Sequence, residues 1–282
     1  MKQYLSLIKF SHSIFAMPFA LIGFFLAIKS YEFEWITLLY IILCMLFARS
    51  SAMAFNRYID RDSDKKNPRT SKIREIPSGE IKARSALIFV IINSLLFIVT
   101  TFMINKLCFY LSPIALLLIL GYSYTKRFTS LCHIILGISL SLAPIGAYLA
   151  VSNSFDITPI LFALVVIFWV SGFDIIYSLQ DQSFDKTENL YSIPVIFGSK
   201  KSLIISKILH LISISILYYI GVYENYNEYY WIGFLFFSIM IIYQHTLVRY
   251  NDLSKINLAF FTTNGIASII FGMFVIMELL IN

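Results

Sequence analysis

Three polar side chains recur every four residues at the end of the long apolar segment that begins near Trp35: Asn56, Asp60 and Asp64. Residues at this spacing lie above one another on one face of an α-helix, whereas Asp62 points elsewhere. Two bare carboxylates on successive turns repel each other and destabilise a helix. The cluster therefore predicts a ligand that compensates the negative charge.

A second acidic cluster closes another apolar run much later in the chain: Asp174, Asp181 and Asp185. Their spacing of seven and then four residues again predicts one helical face. Oxygen ligands without a nearby His or Cys are typical of sites for hard cations, and Mg²⁺ is usually held by one or two carboxylates together with phosphate oxygens. The two clusters therefore predict a diphosphate bridged by Mg²⁺.

Apolar residues dominate the chain of 282 residues: 59% are hydrophobic and 13% are charged, and the mean hydropathy is +0.78. Soluble domains contain about 45–50% apolar and about 25% charged residues, so we predict an all-α polytopic membrane protein. Apolar windows of roughly 17–25 residues give about nine transmembrane spans. They are Phe10–Ile28, Trp35–Asp60, Ser85–Ile104, Phe109–Tyr124, Leu131–Ser152, Thr158–Gln180, Ser202–Val222, Tyr230–Leu247 and Ile256–Leu280.

Lysine and arginine concentrate in the loops after the second, fourth, sixth and eighth predicted spans. By the positive-inside rule these loops and the N-terminus are cytoplasmic. We therefore expect an integral protein of a bacterial inner membrane, with both acidic clusters facing the cytoplasm. The net charge of +6 does not indicate a nucleic-acid partner, because the basic residues crowd onto one side of a membrane.

The polar loop from Arg61 to Arg84 has two interpretations. Its basic residues Arg69, Lys72 and Arg74 stand near two proline-containing turns. The loop is either a solvated segment whose charge sets the membrane topology, or a lid that binds phosphate. We favour the lid, because topology alone needs fewer charges and the neighbouring acids need an anionic ligand and a metal. Lys126, after the fourth span, is predicted to neutralise the same phosphate oxygens.

Some polar side chains within the apolar segments have a functional and a structural interpretation. Tyr177 precedes Asp181 by four residues and either lines a cavity or is a core tyrosine bonded to a neighbouring helix. Arg49 shares the face of Asn56 two turns deeper and either lines a wet cavity or pairs with another helix. The histidines, His133 among them, have no ligand spacing with one another and are predicted to be hydrogen-bonded interior residues.

The two acidic motifs resemble those of the UbiA-type intramembrane aromatic prenyltransferases. The family motif N-x-x-x-D-x-x-x-D stands here as Asn56, Asp60 and Asp64, and D-x-x-x-D stands as Asp181 and Asp185. The resemblance continues in further segments and covers essentially the whole chain. These segments are Asn67–Gly79, Tyr122–Phe128, Tyr191–Pro194 and His12–Ala20. The last of them looks most like the 4-hydroxybenzoate polyprenyltransferase-like branch, some of whose members act in the futalosine route to menaquinone.

The resemblance implies helices around a central cavity under a polar, cytoplasmic cap, in a single membrane-embedded domain over residues 1–282. Two helix-plus-loop units, each with one acidic motif, also indicate two pseudo-repeated halves. The implied reaction is Mg²⁺-dependent transfer of a polyprenyl group from polyprenyl diphosphate to an aromatic acid, similar to 4-hydroxybenzoate or to dihydroxynaphthoate. The implied pathway is ubiquinone or menaquinone biosynthesis.

The resemblance also implies roles for individual residues. The expected Mg²⁺ ligands are Asn56, Asp60, Asp64, Asp181 and Asp185. The expected diphosphate-binding residues are Asn56, Arg69, Lys72, Arg74 and Lys126. The expected catalytic residues are Asp60, Asp64, Asp174, Asp181, Asp185 and Tyr177, with Asp174 and Tyr177 near the reacting centre.

Two alternatives stay open on the sequence. A secondary transporter also places carboxylates in its membrane helices, where they bind a cation or a proton. The acids here lie near predicted cytoplasmic helix ends beside a basic loop, which suits a diphosphate better. Among enzymes, haem-farnesylating and chlorophyll-type relatives share the acidic motifs, so the motifs alone leave the acceptor open.

Overall fold

The computed structural model describes residues 2–8 and 15–281, and in these ranges the chain is helical with no β-strand. This confirms the predicted all-α class. The α-helices are α1 (Lys2–Leu7), α2 (Met17–Ile28), α3 (Trp35–Ile59), α4 (Arg61–Lys66), α5 (Ala83–Ile104), α6 (Lys106–Thr125), α7 (Cys132–Ser152), α8 (Ile157–Ser178), α9 (Gln182–Thr187), α10 (Ile193–Tyr223), α11 (Glu228–Leu247) and α12 (Asn264–Ile281). A 3₁₀ turn, Leu179–Asp181, joins α8 to α9, and a π-helical turn, Leu258–Thr263, precedes α12.

Eight of the described helices are long and apolar enough to cross a membrane, and α2 is a shorter apolar helix of 12 residues. The protein is therefore an integral membrane protein. The predicted count of nine is not confirmed, because the first predicted span, Phe10–Ile28, begins in residues outside the described ranges. The fourth span is longer than predicted: α6 has 20 residues, enough to cross the membrane.

Local sequence signals explain where several helices begin and end. The Asn105 side chain accepts a hydrogen bond from the Cys108 backbone N–H at 2.8 Å and so caps α6 directly after α5 ends. Asp156 caps α8 in the same way through the Thr158 N–H. Gly198 interrupts α10 with φ +76°, a left-handed conformation that favours glycine and produces a kink.

Helix α8 forms the centre of the bundle and is buried along most of its length. Its residue Trp169 is fully buried and donates a 2.8 Å hydrogen bond from Nε1 to Asn264 of α12. Buried serines join the neighbouring helices: Ser206 of α10 donates to the Gly172 carbonyl at 2.7 Å and Ser213 to the Val165 carbonyl at 3.1 Å. In lipid, an apolar side chain gains little by leaving the lipid tails for another helix. Helix packing therefore depends on small residues and on interhelical hydrogen bonds of this kind.

The two acidic motifs each lie across a helix break, so the predicted single helical face is wrong in both. Helix α3 ends at Ile59, Asp60 leaves the helical conformation at φ −89° and ψ 2°, and Asp64 belongs to α4. Similarly, Asp174 lies within α8, whereas Asp181 is in the 3₁₀ turn and Asp185 is in α9. The physical reason is that carboxylates are costly inside the membrane, so the membrane-spanning helix ends where these acidic residues begin. The predicted duplication of the two halves stays a prediction.

The contact between α2 and α7 provides a test of the packing. A Cβ atom at Gly23 would overlap the backbone carbonyl of Pro144, so we expect Gly23→Ala to push these helices apart at a cost of about 1–3 kcal/mol. The measurement is the thermal denaturation midpoint of the purified protein in detergent. Gly121→Ala is the matched control, because a Cβ there meets no atom within 4 Å. Equal midpoints for the two variants would contradict the packing described here.

Candidate functional site

The loops that follow α3 and α8 meet at one end of the bundle. Asn67 donates a hydrogen bond from Nδ2 to Asp181 Oδ1 at 3.1 Å, and Arg69 binds the same carboxylate through Nε at 2.9 Å and Nη2 at 2.5 Å. Farther out, Lys66 Nζ lies 2.7 Å from Glu188 Oε2. The two acidic motifs, far apart in the sequence, therefore form one site.

Basic side chains neutralise the acids of the second motif from other elements. Arg69 forms the two-pronged pair with Asp181 just described, a strong and directional kind of ion pair. Lys126, at the end of α6, places Nζ 2.7 Å from Asp185 Oδ2, and the Asp185 side chain is 1% exposed. A carboxylate this buried requires a partner, because desolvation penalises an isolated charge heavily.

The first motif is neutralised mainly from within its own loop. Arg74 pairs with Asp64, which is buried in α4. Asp60 accepts a 2.9 Å hydrogen bond from Asn56 Nδ2 and approaches Arg127 Nη2 at 3.5 Å. Asp60 thus has weaker cationic neutralisation than Asp64, Asp181 or Asp185, each of which has a basic nitrogen within 2.7 Å.

Two predicted site residues stand apart from this network. Lys72 is exposed and lines neither of the cavities described below. Asp174 does not join Asp181 and Asp185; its Oδ2 lies 2.6 Å from His133 Nδ1 of α7. Asp174 is therefore not grouped with the other two acids: it lies inside α8 on the inner cavity, whereas Asp181 and Asp185 follow the end of α8 and line the outer one.

Tyr177 faces the site between Asp174 and the ion pairs. Its hydroxyl accepts a 3.4 Å hydrogen bond from Arg69 Nη1, and the Arg69 guanidinium lies 5.7 Å from the centre of its ring. The ring also packs on Phe260, with 4.2 Å between the ring centres. Of its two interpretations, the structure matches the cavity-lining one, and Tyr177 contacts a basic residue of the site.

Two cavities meet at the ion pairs. The outer one, of about 240 Å³, is polar, and the inner one, of about 770 Å³, runs between apolar side chains of α3, α6 and α7. They share five lining residues, which are Asp60, Arg69, Arg74, Lys126 and Asp181. A ligand with a highly charged head and a long apolar tail fits this arrangement. Arg49 also lines the inner cavity.

The electrostatics of the site disfavour the charged form of Asp60. Burial raises the pKa of the Asp60 carboxyl, and the charge of Asp64 raises it further, although Arg74 and Arg127 act in the opposite direction. For Arg69, burial lowers the guanidinium pKa, but the hydrogen bond and charge of Asp181 outweigh burial and leave the pKa above its ordinary value. The Arg69 pair is therefore charged throughout the physiological range.

The residues present fit a Mg²⁺ ion by their chemistry. The candidate ligands are the oxygens of Asn56, Asp60, Asp64, Asp181 and Asp185, and oxygen ligands are those that Mg²⁺ prefers. Burial first, and the charge of Asp64 second, raise the pKa of Asp60, and a divalent cation bound between these carboxylates would favour their charged forms.

Sequence reasoning missed three contributors to this site. Asn67, which precedes a proline in the loop after α4, donates a side-chain hydrogen bond to Asp181. Arg127 approaches Asp60, and His133, predicted to be an ordinary interior histidine, lines the inner cavity together with Asp174. A histidine and an aspartate on separate helices have no sequence spacing that could reveal their contact.

The raised pKa of Asp60 gives a stability prediction. A carboxyl whose folded-state pKa exceeds its unfolded value lowers the stability of the protein as the pH rises above the unfolded value, until the pH reaches the folded-state pKa. We expect Asp60→Asn to raise the denaturation midpoint at neutral pH in chelator and to abolish most of the further rise that Mg²⁺ gives the wild type. Glu80→Gln, at an exposed acid that lines neither cavity, is the control. An unchanged Mg²⁺-dependent rise in Asp60→Asn would contradict a metal site at this carboxylate.

Comparisons with known proteins agree with this geometry. A model of the UbiA prenyltransferase family matches residues 16–266. A 4-hydroxybenzoate octaprenyltransferase of Vesicomyosocius okutanii is 32% identical over 234 residues, which cover 83% of this chain and 85% of the relative. One of Tolumonas auensis is 31% identical over 224 residues, covering 79% and 78%.

Solved structures match over nearly the full length. A UbiA homolog from Aeropyrum pernix K1 superposes with a TM-score of 0.85 at 28% identity, covering 95% of this chain and 98% of that one. A UbiA homolog from Archaeoglobus fulgidus, bound to GPP and Mg²⁺, superposes with a TM-score of 0.73 at 21% identity, covering 98% and 99%. The second likeness concerns the fold alone.

Proposed function

The chain belongs to the UbiA prenyltransferase family, and from that premise we propose that it transfers a polyprenyl group from its diphosphate to an aromatic acid, with Mg²⁺ as cofactor. One observation carries the proposal: a polar cavity lined by paired acids and bases opens directly into a larger apolar cavity. A prenyl diphosphate has the same division into a charged head and an apolar tail.

The polar cavity would hold the diphosphate and the metal. Asp60, Asp64, Asp181 and Asp185, with Asn56, would hold Mg²⁺, which when bound supplies positive charge that stabilises the departing diphosphate. Other residues bind the remaining phosphate oxygens as cations; they are Arg69, Arg74 and Lys126. The exposed Lys72 is not retained in this group. Each of the three cations already faces the cavity through its carboxylate partner, so diphosphate and metal can replace these pairs without a large rearrangement.

Aromatic rings stand beside the position where the allylic carbon would carry positive charge. Tyr177, Phe173 and Phe260 form a connected group, with ring centres 4.2 Å apart for Tyr177 and Phe260 and 5.4 Å for Phe173 and Phe260. The faces of such rings stabilise a cation and exclude water, which would otherwise capture it. The prenyl tail would occupy the apolar cavity and leave sideways into lipid, where its burial is favourable.

The acceptor is proposed to be an aromatic acid related to 4-hydroxybenzoate. Arg49 of α3 supports this class, because it is a basic side chain on the wall of the apolar cavity, two helical turns below Asn56. A guanidinium binds a carboxylate through two parallel hydrogen bonds, which would orient the ring of the acceptor toward the donor. The names of the two curated relatives support 4-hydroxybenzoate over dihydroxynaphthoate and support a long prenyl chain.

The cellular setting follows from the same proposal. Prenylated aromatic acids are precursors of lipid-soluble quinones, so we assign the protein to quinone biosynthesis. The basic loops at the end of the bundle that carries the site support a location in the bacterial inner membrane, with the site facing the cytoplasm. The transporter alternative is less well supported, because the carboxylates pair with Arg69, Arg74 and Lys126, which suit a phosphate ligand better than a permeant cation.

The reaction is tested with purified protein in lipid, Mg²⁺ and labelled polyprenyl diphosphate. We expect Asp181→Ala to abolish product formation from 4-hydroxybenzoate, because it removes a metal ligand and leaves Arg69 without its partner. Glu80→Ala, at an exposed acid that lines neither cavity, is the matched control and should retain activity. Full activity of Asp181→Ala at normal protein levels, or product formation in the presence of chelator, would refute the proposal.

The acceptor site is tested by Arg49→Leu and Arg49→Lys. Loss of a charge-assisted hydrogen bond costs about 1.5–3 kcal/mol, so we expect the KM for 4-hydroxybenzoate to rise at least tenfold in Arg49→Leu and less in Arg49→Lys. The KM for the prenyl diphosphate should change little. Dihydroxynaphthoate is assayed in parallel as a second acceptor. Equal KM values for 4-hydroxybenzoate in the wild type and both variants would show that Arg49 does not bind the acceptor carboxylate.

A further inference from the structure

One pair of buried polar side chains on the cavity wall is not used by the binding of the diphosphate. His133 of α7 and Asp174 of α8 approach to 2.6 Å between Nδ1 and Oδ2, and both residues line the inner cavity. The His133 side chain is 3% exposed, whereas the Asp174 side chain is 22% exposed. The histidine is thus enclosed by protein while the carboxylate faces the cavity.

The surroundings of His133 fix which ring nitrogen carries a proton. The backbone N–H of Ile193, at the start of α10, points at His133 Nε2 from 3.4 Å and makes this nitrogen an acceptor. Nδ1 is then the donor, and it donates to Asp174 Oδ2. Ser171 holds the same segment by donating a 3.1 Å hydrogen bond to the His133 carbonyl. His133 therefore fixes the orientation of the Asp174 side chain and keeps that side chain as a carboxylate that can accept a proton.

The position of Asp174 along α8 places it below the diphosphate. Asp174 precedes Asp181 by seven residues, about 10 Å along a helix at roughly 1.5 Å per residue. Tyr177 lies between them. Within residues 169–179, Tyr177 and Asp174 are partly exposed and the other residues are buried. A donor whose diphosphate lay at Asp181 would place its adjoining prenyl carbon, and the ring that attacks it, in this interval of the inner cavity.

We propose that Asp174 is the base that accepts the proton lost from the aromatic ring and that His133 is its positioning residue. The carbon–oxygen bond of the donor breaks and its electron pair leaves with the diphosphate. A pair of ring π electrons forms the new carbon–carbon bond, and the ring becomes cationic. The ring C–H bond then breaks, its electrons restore aromaticity, and the proton passes to the Asp174 carboxylate.

The inference rests on the proposed function, and the experiment separates the two. Protein in lipid receives Mg²⁺, geranyl diphosphate and 4-hydroxybenzoate, either unlabelled or deuterated at the ring positions next to the hydroxyl. Diphosphate release and prenylated product are measured separately. The variants are Asp174→Asn, His133→Leu and His133→Gln, with Ser171→Ala as the control for perturbing the same helix contact.

We expect Asp174→Asn to lower product formation by about 10²–10⁴-fold, the usual contribution of a general base. Diphosphate release should continue, with water capturing the prenyl cation to give the alcohol. Deuterium should slow product formation in Asp174→Asn and in His133→Leu. His133→Gln, which keeps a donor for Asp174, should behave like the wild type, as should Ser171→Ala. If the His133–Asp174 pair only held α7 against α8, replacing either residue would lower stability without producing an isotope effect.

Other outcomes overturn one proposal or the other. If the wild type forms no product, the proposed function fails. If the wild type forms product and Asp174→Asn matches it without an isotope effect, the role of Asp174 is wrong. If Asp174→Asn releases no diphosphate because it does not fold, the two His133 variants decide: an isotope effect in His133→Leu alone supports the proposal, and identical behaviour of the two variants overturns it.

Discussion

Four carboxylates gathered at one end of an apolar helical bundle must be neutralised, and the way this happens organises the rest of the structure. Arg69 reaches from the loop after α4 to Asp181 beyond α8, and Lys126 reaches from α6 to Asp185. These pairs join segments that are distant in the sequence. Because desolvation offsets much of the attraction within a buried ion pair, their main effect is to fix which loops meet rather than to add stability.

The helix breaks follow from the same constraint. A continuous helix through Asn56, Asp60 and Asp64 would carry two bare carboxylates on adjacent turns. With the break at Asp60, Asp64 enters a short helix where Arg74 neutralises it, and the 3₁₀ turn at Asp181 allows that carboxylate to meet Arg69. The acids thereby reach the polar end of the bundle while the apolar parts of α3 and α8 stay within the membrane.

The rigidity of α8 gives the site a defined depth. This helix is enclosed by α7 and α10 and joined to them by serine hydrogen bonds to backbone carbonyls. It carries Tyr177 and Asp174 below the turn that holds Asp181. In the proposed reaction, metal and phosphate binding, stabilisation of the cation and acceptance of the proton would follow one another along this axis. Groups held on such a helix keep their relative positions during a reaction, which favours a productive geometry.

The sequence by itself determined the helical class, the membrane location and the two acidic motifs. Apolar windows of spanning length and carboxylates at helical spacing are local properties of the chain, and both survive in the structure apart from the helix breaks. It also singled out Arg69, Arg74 and Lys126, because basic residues beside acids in an apolar chain indicate an anionic ligand. Only the tertiary structure decided which base meets which acid, placed Lys72 outside both cavities, separated Asp174 from Asp181 and brought His133 to Asp174. Those contacts join different helices, and helix packing depends on side-chain shapes and interhelical hydrogen bonds that no periodicity along the chain records.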